Sequence, residues 1–155
     1  MVITSLPGKS QALKSSYAIQ NVRTGQNLRP YEANPANDNK IVTYTHKVWK
    51  CMTWDFKYIS DKTYNLQNQY TLKTFQTADI PAKAGTVLVQ QVSDKTNQKW
   101  EFIQVSDNKY NIRLSETELY ITSQGDEINT QVILQHKKQN DPFQIWRLIE
   151  QHPTN

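Results

Sequence analysis

Cysteine is all but missing from this chain. Cys51 stands alone among 155 residues, so no intrachain disulfide can form, and a chain of this length buries a core without such staples. No apolar run of the roughly 7–15 residues of a signal peptide follows Met1, because Lys9 and Lys14 interrupt a polar, serine-rich start. Nothing approaches the ~18 apolar residues of a membrane span, and no Asn-x-Ser/Thr acceptor occurs. These absences predict a soluble protein of a reducing compartment, either cytoplasmic or released without a signal peptide, with no membrane insertion.

Catalytic patterns are missing too. His46, His136 and His152 do not pair into a metal motif, no H-E-x-x-H or G-x-S-x-G is present, and four glycines build no phosphate loop. Cys51, three residues before Trp54, reads as a small buried thiol rather than a nucleophile. The expectation is a protein that is not an enzyme and needs no metal or cofactor. Charge of one sign is not concentrated: 18 basic side chains against 14 acidic ones give +4, and Lys137-Lys138 is the one adjacent basic pair. That describes a solvated surface rather than a phosphate-tracking stripe, so nucleic acid is not an expected partner. Asn and Gln are abundant; their amides donate and accept at once, which suits polyhydroxylated partners and also serves as surface filler.

What the chain does have is a period. Trp54, Trp100 and Trp146 are 46 residues apart. The next-but-one residue is apolar each time (Phe56, Phe102, Leu148), with Asp55, Glu101 and Arg147 between, the alternation of a half-buried strand. The same step relates Ile41-Val42, Val87-Leu88 and Ile133-Leu134. Tyr17-Ala18-Ile19, Tyr64-Asn65-Leu66 and Tyr110-Asn111-Ile112 follow at 47 and 46. Four landmarks kept in step across three copies mark an internal repeat.

Each copy reads as four short strands. The first carries Tyr17, Tyr64 or Tyr110, and the second Leu28, Phe75 or Ile121. The third carries the Ile41, Val87 and Ile133 pairs, and the fourth the tryptophans. Three such units are too few to close a propeller, which needs about four to eight blades. They suffice for a barrel capped by hairpins, an all-β, pseudo-threefold β-trefoil. The predicted organisation is one domain over 1–155, with repeats at about 17–60, 61–106 and 107–151.

Asn97-Gln98-Lys99-Trp100 and Gln144-Ile145-Trp146 resemble the Q-x-W motif that ends each repeat of the ricin B-type (R-type) lectins; Met52-Thr53-Trp54 keeps the tryptophan and loses the glutamine. The resemblance spans approximately 17–150, and the disulfide-free form is similar to small fungal and bacterial trefoil lectins. It implies a carbohydrate-binding protein in which tryptophan and motif glutamine are structural. It also implies a sugar site in each repeat: an acidic side chain after the second strand, an aromatic ring beyond the third, and an Asn or Gln near the motif. A pyranose offers hydroxyls to the polar groups and a C–H face to the ring.

Against that pattern the repeats differ. After Leu28, Phe75 and Ile121 stand Arg29, Gln76 and Thr122, none acidic, a departure from galactose-type recognition. Arg29 suits an acidic sugar or a protein carboxylate instead, or is an exposed structural arginine. Tyr44, His46 and Trp49 meet the aromatic requirement in the first repeat. One and two periods after Trp49 come Lys95 and Asp141, so the core period does not account for it: Trp49 is a stacking platform or a cover over one end of the barrel. Asn37 and Asp38 are the acceptors expected from the nearby loop. The second repeat offers Gln76, Gln90, Gln91, Asn97 and Gln98, with Asp94 close by, and no ring. The third offers Gln135 and His136, with Phe143 replacing the motif-adjacent asparagine. The expected carbohydrate contacts are therefore Arg29, Asp38, Tyr44, His46, Trp49, Gln76, Gln90, Asn97 and His136, with the first repeat favoured. The expected partners are glycans or glycoconjugates; a protein target and self-association stay open. The rival reading is a protein-binding trefoil, such as a protease inhibitor acting through loops 32–39 and 78–85.

Overall fold

The computed structural model describes residues 12–93 and 97–155; Lys9, Asp94 and Lys95 lie outside the described residues. Twelve strands follow one another: β1 (Ser16–Asn21), β2 (Asn27–Pro30), β3 (Ile41–Tyr44), β4 (Trp54–Ser60), β5 (Thr63–Asn68), β6 (Thr74–Thr77), β7 (Leu88–Gln91), β8 (Trp100–Ser106), β9 (Lys109–Leu114), β10 (Leu119–Thr122), β11 (Ile133–His136) and β12 (Trp146–Glu150). The alternation seen in the sequence is the cause. In β4, Trp54 and Phe56 turn inward while Asp55 between them does not, and β8 and β12 repeat this.

Six strands close a ring. β1 pairs with β4 and β12, β5 with β4 and β8, and β9 with β8 and β12, all antiparallel. The other six form the hairpins β2–β3, β6–β7 and β10–β11. These meet one another at the bridges Lys40–Val89, Val42–Gln131 and Val87–Ile133. Closure removes the barrel's edges and the hairpin triplet covers one end, so the fold is a β-trefoil.

The periodic landmarks are partners in space. Tyr17 lies opposite Trp54, Tyr64 opposite Trp100, and Tyr110 opposite Trp146, in the ladder that joins the first and fourth strands of each repeat. Each indole is fully buried, and its Nε1–H donates to a second-strand carbonyl: Leu28 at 3.1 Å, Phe75 at 3.1 Å, Ile121 at 3.0 Å. The tryptophans thus pin hairpins to barrel while filling the core. Phe56 and Phe102 pack against each other at 4.9 Å, with Tyr64 touching both.

The amide-rich composition has a structural use. With four glycines, six of the ten left-handed positions that other described residues take fall to Asn or Asp: Asp38, Asp61, Asn97, Asn108, Asn129 and Asn140. Asn and Asp tolerate that region better than other side-chain-bearing residues. Buried Asn21 and Asn68 each brace a turn: their Oδ1 atoms accept from Arg23 and Thr24, and from Tyr70 and Thr71. Much of the amide excess holds backbone together rather than facing a partner.

Candidate functional site

The position after the central second-strand residue is buried in every repeat. Arg29 and Gln76 are 8% exposed and Thr122 is 9%. In the second and third repeats it serves the motif glutamine. Gln98 Nε2 donates to Gln76 Oε1 at 2.7 Å and to the Val92 carbonyl at 3.0 Å. Gln144 Nε2 donates to Thr122 Oγ1 at 3.1 Å and to the His136 carbonyl at 2.9 Å, while its Oε1 accepts from the Lys138 N–H at 2.9 Å. The motif amide ties the loop after the third strand to the second strand. Gln76, expected as a glycan contact, is part of that tie.

Met52 breaks the pattern in the first repeat. The Gln151 amide reaches the same loop from outside the motif, donating to Thr53 Oγ1 at 2.8 Å and to the Lys47 carbonyl at 3.5 Å. Arg29, with no motif amide to meet, turns elsewhere. Its guanidinium carbon lies 3.7 Å from the Tyr44 ring centroid, and Nη2 donates to Asn129 Oδ1 at 3.2 Å. Its buried Nε has no hydrogen-bond partner among the described residues. Cys51 is also buried here; burial pushes its thiol pKa up, opposed by the charge and hydrogen bond of Arg29.

Tyr44 in turn stacks with Trp49, ring centroids 6.5 Å apart and planes 29° apart. Trp49 is 38% exposed, and Lys47 Nζ stands 5.8 Å from its ring. Two periods on, Asp141 uses its carboxylate to accept from the Phe143 N–H and cap the 3-10 turn Pro142–Gln144. Trp49 precedes the equivalent turn Lys50–Met52 and makes no such cap. Its side chain is free of that local duty and is available at the surface.

His46 joins this cluster through a residue that sequence reasoning missed. Asn27 Oδ1 accepts from Gln20 Nε2 at 3.1 Å, which orients the amide so that Nδ2 points to His46 Nδ1 at 2.6 Å. The imidazole thus meets the Asn27 amide through Nδ1, with Nε2 on the other side of the ring. Asn27 is fully buried and Asn129 comes from the third repeat, so neither had a local signal in the sequence.

The remaining expected residues are placed elsewhere. Asp38 is not brought to Tyr44 and Trp49. The β2–β3 register sets Ile41, next to its loop, across from Pro30 and Tyr44 across from Asn27, at the opposite end of the hairpin. The Asp38 carboxylate accepts from Gln91 Nε2 and its N–H donates to the Gln90 carbonyl. Gln90 is fully buried; its Oε1 accepts from Thr71 Oγ1 and its Nε2 donates to the Asn34 and Ala36 carbonyls. It is a clamp on the first-repeat loop, with both atoms of its amide already hydrogen-bonded. Asn97 donates to Thr77 Oγ1 at 2.8 Å and His136 is exposed, each in its own repeat and apart from the aromatic cluster.

The family model described as ricin-type beta-trefoil lectin domain-like matches residues 50–136. Among curated proteins, none matches by sequence. Among solved structures the chain is similar to ThreeFoil, a designed threefold symmetric protein, with TM-score 0.83 and 16% identity over 87% of this chain and 98% of that one. It is similar to the Macrolepiota procera ricin B-like lectin in complex with lactose, with TM-score 0.74 and 19% identity over 92% and 99% of the two chains. It is also similar to the Polyporus squamosus lectin bound to Neu5Acα2-6Galβ1-4GlcNAc, with TM-score 0.75 and 18% identity over 92% of this chain and 50% of that one. At these identities the likeness is one of fold. The match of the family model over more than half of the sequence decides the membership: the chain belongs to the ricin-type β-trefoil lectin domain-like family.

Proposed function

We propose that the chain is a non-catalytic glycan-binding protein whose main contact is the Tyr44–Trp49 platform of the first repeat. The observation that carries this reading is Trp49 itself: an indole outside the core period, 38% exposed, stacked on Tyr44 and relieved of the turn-capping duty that Asp141 performs. A pyranose C–H face packs on such a ring, the Lys47 ammonium borders it as a donor to hydroxyls, and His46 is its neighbour along the chain. The donors are cationic or neutral and the site has no aspartate after the second strand. An acidic sugar fits it better than a neutral galactose. Family membership and likeness to a lactose-bound and a sialoglycan-bound lectin support sugar binding in general.

One shallow site binds a monosaccharide weakly, so the useful ligands are extended or clustered glycans. A second reading rests on the loop 78–85. Ile80 is 56% exposed there, and the loop is braced by Thr77 Oγ1 donating to the Asp79 carbonyl and Thr86 Oγ1 to Asp79 Oδ2. A stiff loop with an exposed apolar tip suits a protease inhibitor. A glycan array run beside a protease panel separates the two. Binding to carboxylate-bearing glycans that is lost in Trp49→Ala supports the lectin reading; an empty array with protease inhibition overturns it.

A further inference from the structure

The first repeat holds a buried cation without a carboxylate beside it. Arg29 is 8% exposed and joins none of the ion pairs among the described residues. Its Nη2 donates to the neutral Asn129 amide and its plane lies over the Tyr44 ring, while its buried Nε–H meets no acceptor among the described residues. A charged donor taken out of water and left unmet is destabilising, so this guanidinium is primed for an anionic oxygen.

The internal repeat shows what is missing. Position 29 corresponds to Gln76 and Thr122, whose side-chain oxygens accept from the motif glutamines Gln98 and Gln144. In the first repeat both members of that pair have changed: Arg29 brings donors alone, and Met52 brings no amide oxygen. Beside Met52, in the 3-10 turn Lys50–Met52, stands Cys51. Strand β2 packs against this turn, and Arg29 is the charge that bears on the Cys51 thiol. The turn is held by Asn68 Nδ2, which donates to the Cys51 carbonyl at 2.9 Å. One oxygen added to the Cys51 sulfur gives the guanidinium the acceptor that this repeat lacks.

We propose that Cys51 is a site of reversible oxidation by hydrogen peroxide, with Arg29 holding the sulfenate that forms. The thiol sulfur bonds to one peroxide oxygen as the O–O bond breaks. Sulfur is oxidised by two electrons, the peroxide is reduced, and its second oxygen leaves as water with the thiol proton. The sulfenic acid gives its remaining proton to solvent, and Arg29 donates to the sulfenate oxygen. Reversal uses a small thiol: with a proton from solvent it forms a mixed disulfide and water, and a second thiol restores the Cys51 thiol and releases a small disulfide. Burial raises the Cys51 pKa and slows the first step, whereas the guanidinium acts on the product. This chemistry does not depend on whether Trp49 binds a sugar.

Treatment of the full chain with hydrogen peroxide at neutral pH, then unfolding in dimedone and peptide mass mapping, tests this. Dimedone bonds to a sulfenic sulfur and not to a thiol or a sulfinate, and mapping separates Cys51 from an oxidised Met52. The expected result is a dimedone adduct on Cys51 that dithiothreitol, added before unfolding, abolishes. In Arg29→Gln the adduct should fall about fivefold or more, in favour of unreacted or over-oxidised cysteine. Should that variant not fold, the parent protein still decides: the Arg29 Nε–H resonance should shift on oxidation and return on reduction. The proposal is overturned if Cys51 stays a thiol in folded protein under conditions that oxidise the unfolded chain. It is equally overturned if folded Arg29→Gln gives as much adduct, or if the Nε–H resonance does not move.

Discussion

Tyr44 and Trp49 form a stacked pair 6.5 Å apart, and the guanidinium of Arg29 lies 3.7 Å from the Tyr44 centroid. The Tyr44 ring is thus braced by Arg29, while Trp49 carries the accessible surface. Trp49→Ala should weaken glycan binding about tenfold with little change in melting temperature. Asp141→Ala, two periods on, should leave binding unchanged. Titration calorimetry with a clustered glycan measures both, and equal effects would count against the first repeat as the principal site.

The core tryptophans should behave alike. Trp54, Trp100 and Trp146 are each fully buried and donate to equivalent carbonyls, so each Trp→Ala change should cost about 3–5 kcal/mol. Urea unfolding checks this, provided the transition stays two-state. A variant far milder than its two counterparts would show that the indoles do not share one role.

The motif glutamine predicts a different signature. Gln144→Ala removes three hydrogen bonds and leaves the Lys138 N–H and His136 carbonyl without that partner, so stability should fall by about 1–3 kcal/mol. Binding at the Trp49 platform should survive. Loss of binding in the folded Gln144→Ala protein would move the glycan site to the third repeat.

Gln90→Leu should release the clamp on residues 34–36 while the second-repeat core stays closed. Hydrogen exchange should then speed up in loop 32–39, with Asp38 included. Unchanged exchange there would mean that other contacts hold the loop.

Alkaline pH should unfold the protein through groups that burial keeps protonated. Burial raises the pKa values of Tyr17, Tyr64, Tyr110 and the Cys51 thiol. The stability tied to these raised values is fully present below the free-group pKa. It is lost as pH climbs past it, because the unfolded chain gives up its protons first. Stability should therefore begin to fall near pH 9.0, where an unfolded thiol ionises, and fall further above about pH 10, the tyrosine range. Tyrosinate absorbance should lag for these three rings until unfolding, and free titration of all the tyrosines in folded protein would contradict the packing.

The fold was legible because the repeat supplies the same strand pattern three times. Trp54, Trp100 and Trp146 are core by alternation alone, and their tyrosine counterparts at the repeat starts are their ladder partners. The proposed site was legible only where side chains adjacent along the chain remain adjacent in space. Tyr44 and Trp49 are such a pair, joined by one strand end and one turn. Asp38 and Gln90 lie away from them, because a hairpin carries its loop to the far end and because burial turns the Gln90 amide to backbone.

Sequence by itself determined the period, the strand alternation and the departure of Met52 and Trp49 from symmetry, since these depend on residue type and spacing. Tertiary structure alone decided which polar groups are already committed. Arg29 is drawn to Tyr44 and to Asn129, a hundred residues away, and the Gln151 amide reaches the loop that lacks a motif glutamine. The Lys50 N–H, in the 3-10 turn before Trp54, donates to the Asn155 carbonyl. The physical reason is that hydrogen-bond satisfaction is settled by what the closed barrel brings near, and closure joins residues that no local pattern connects.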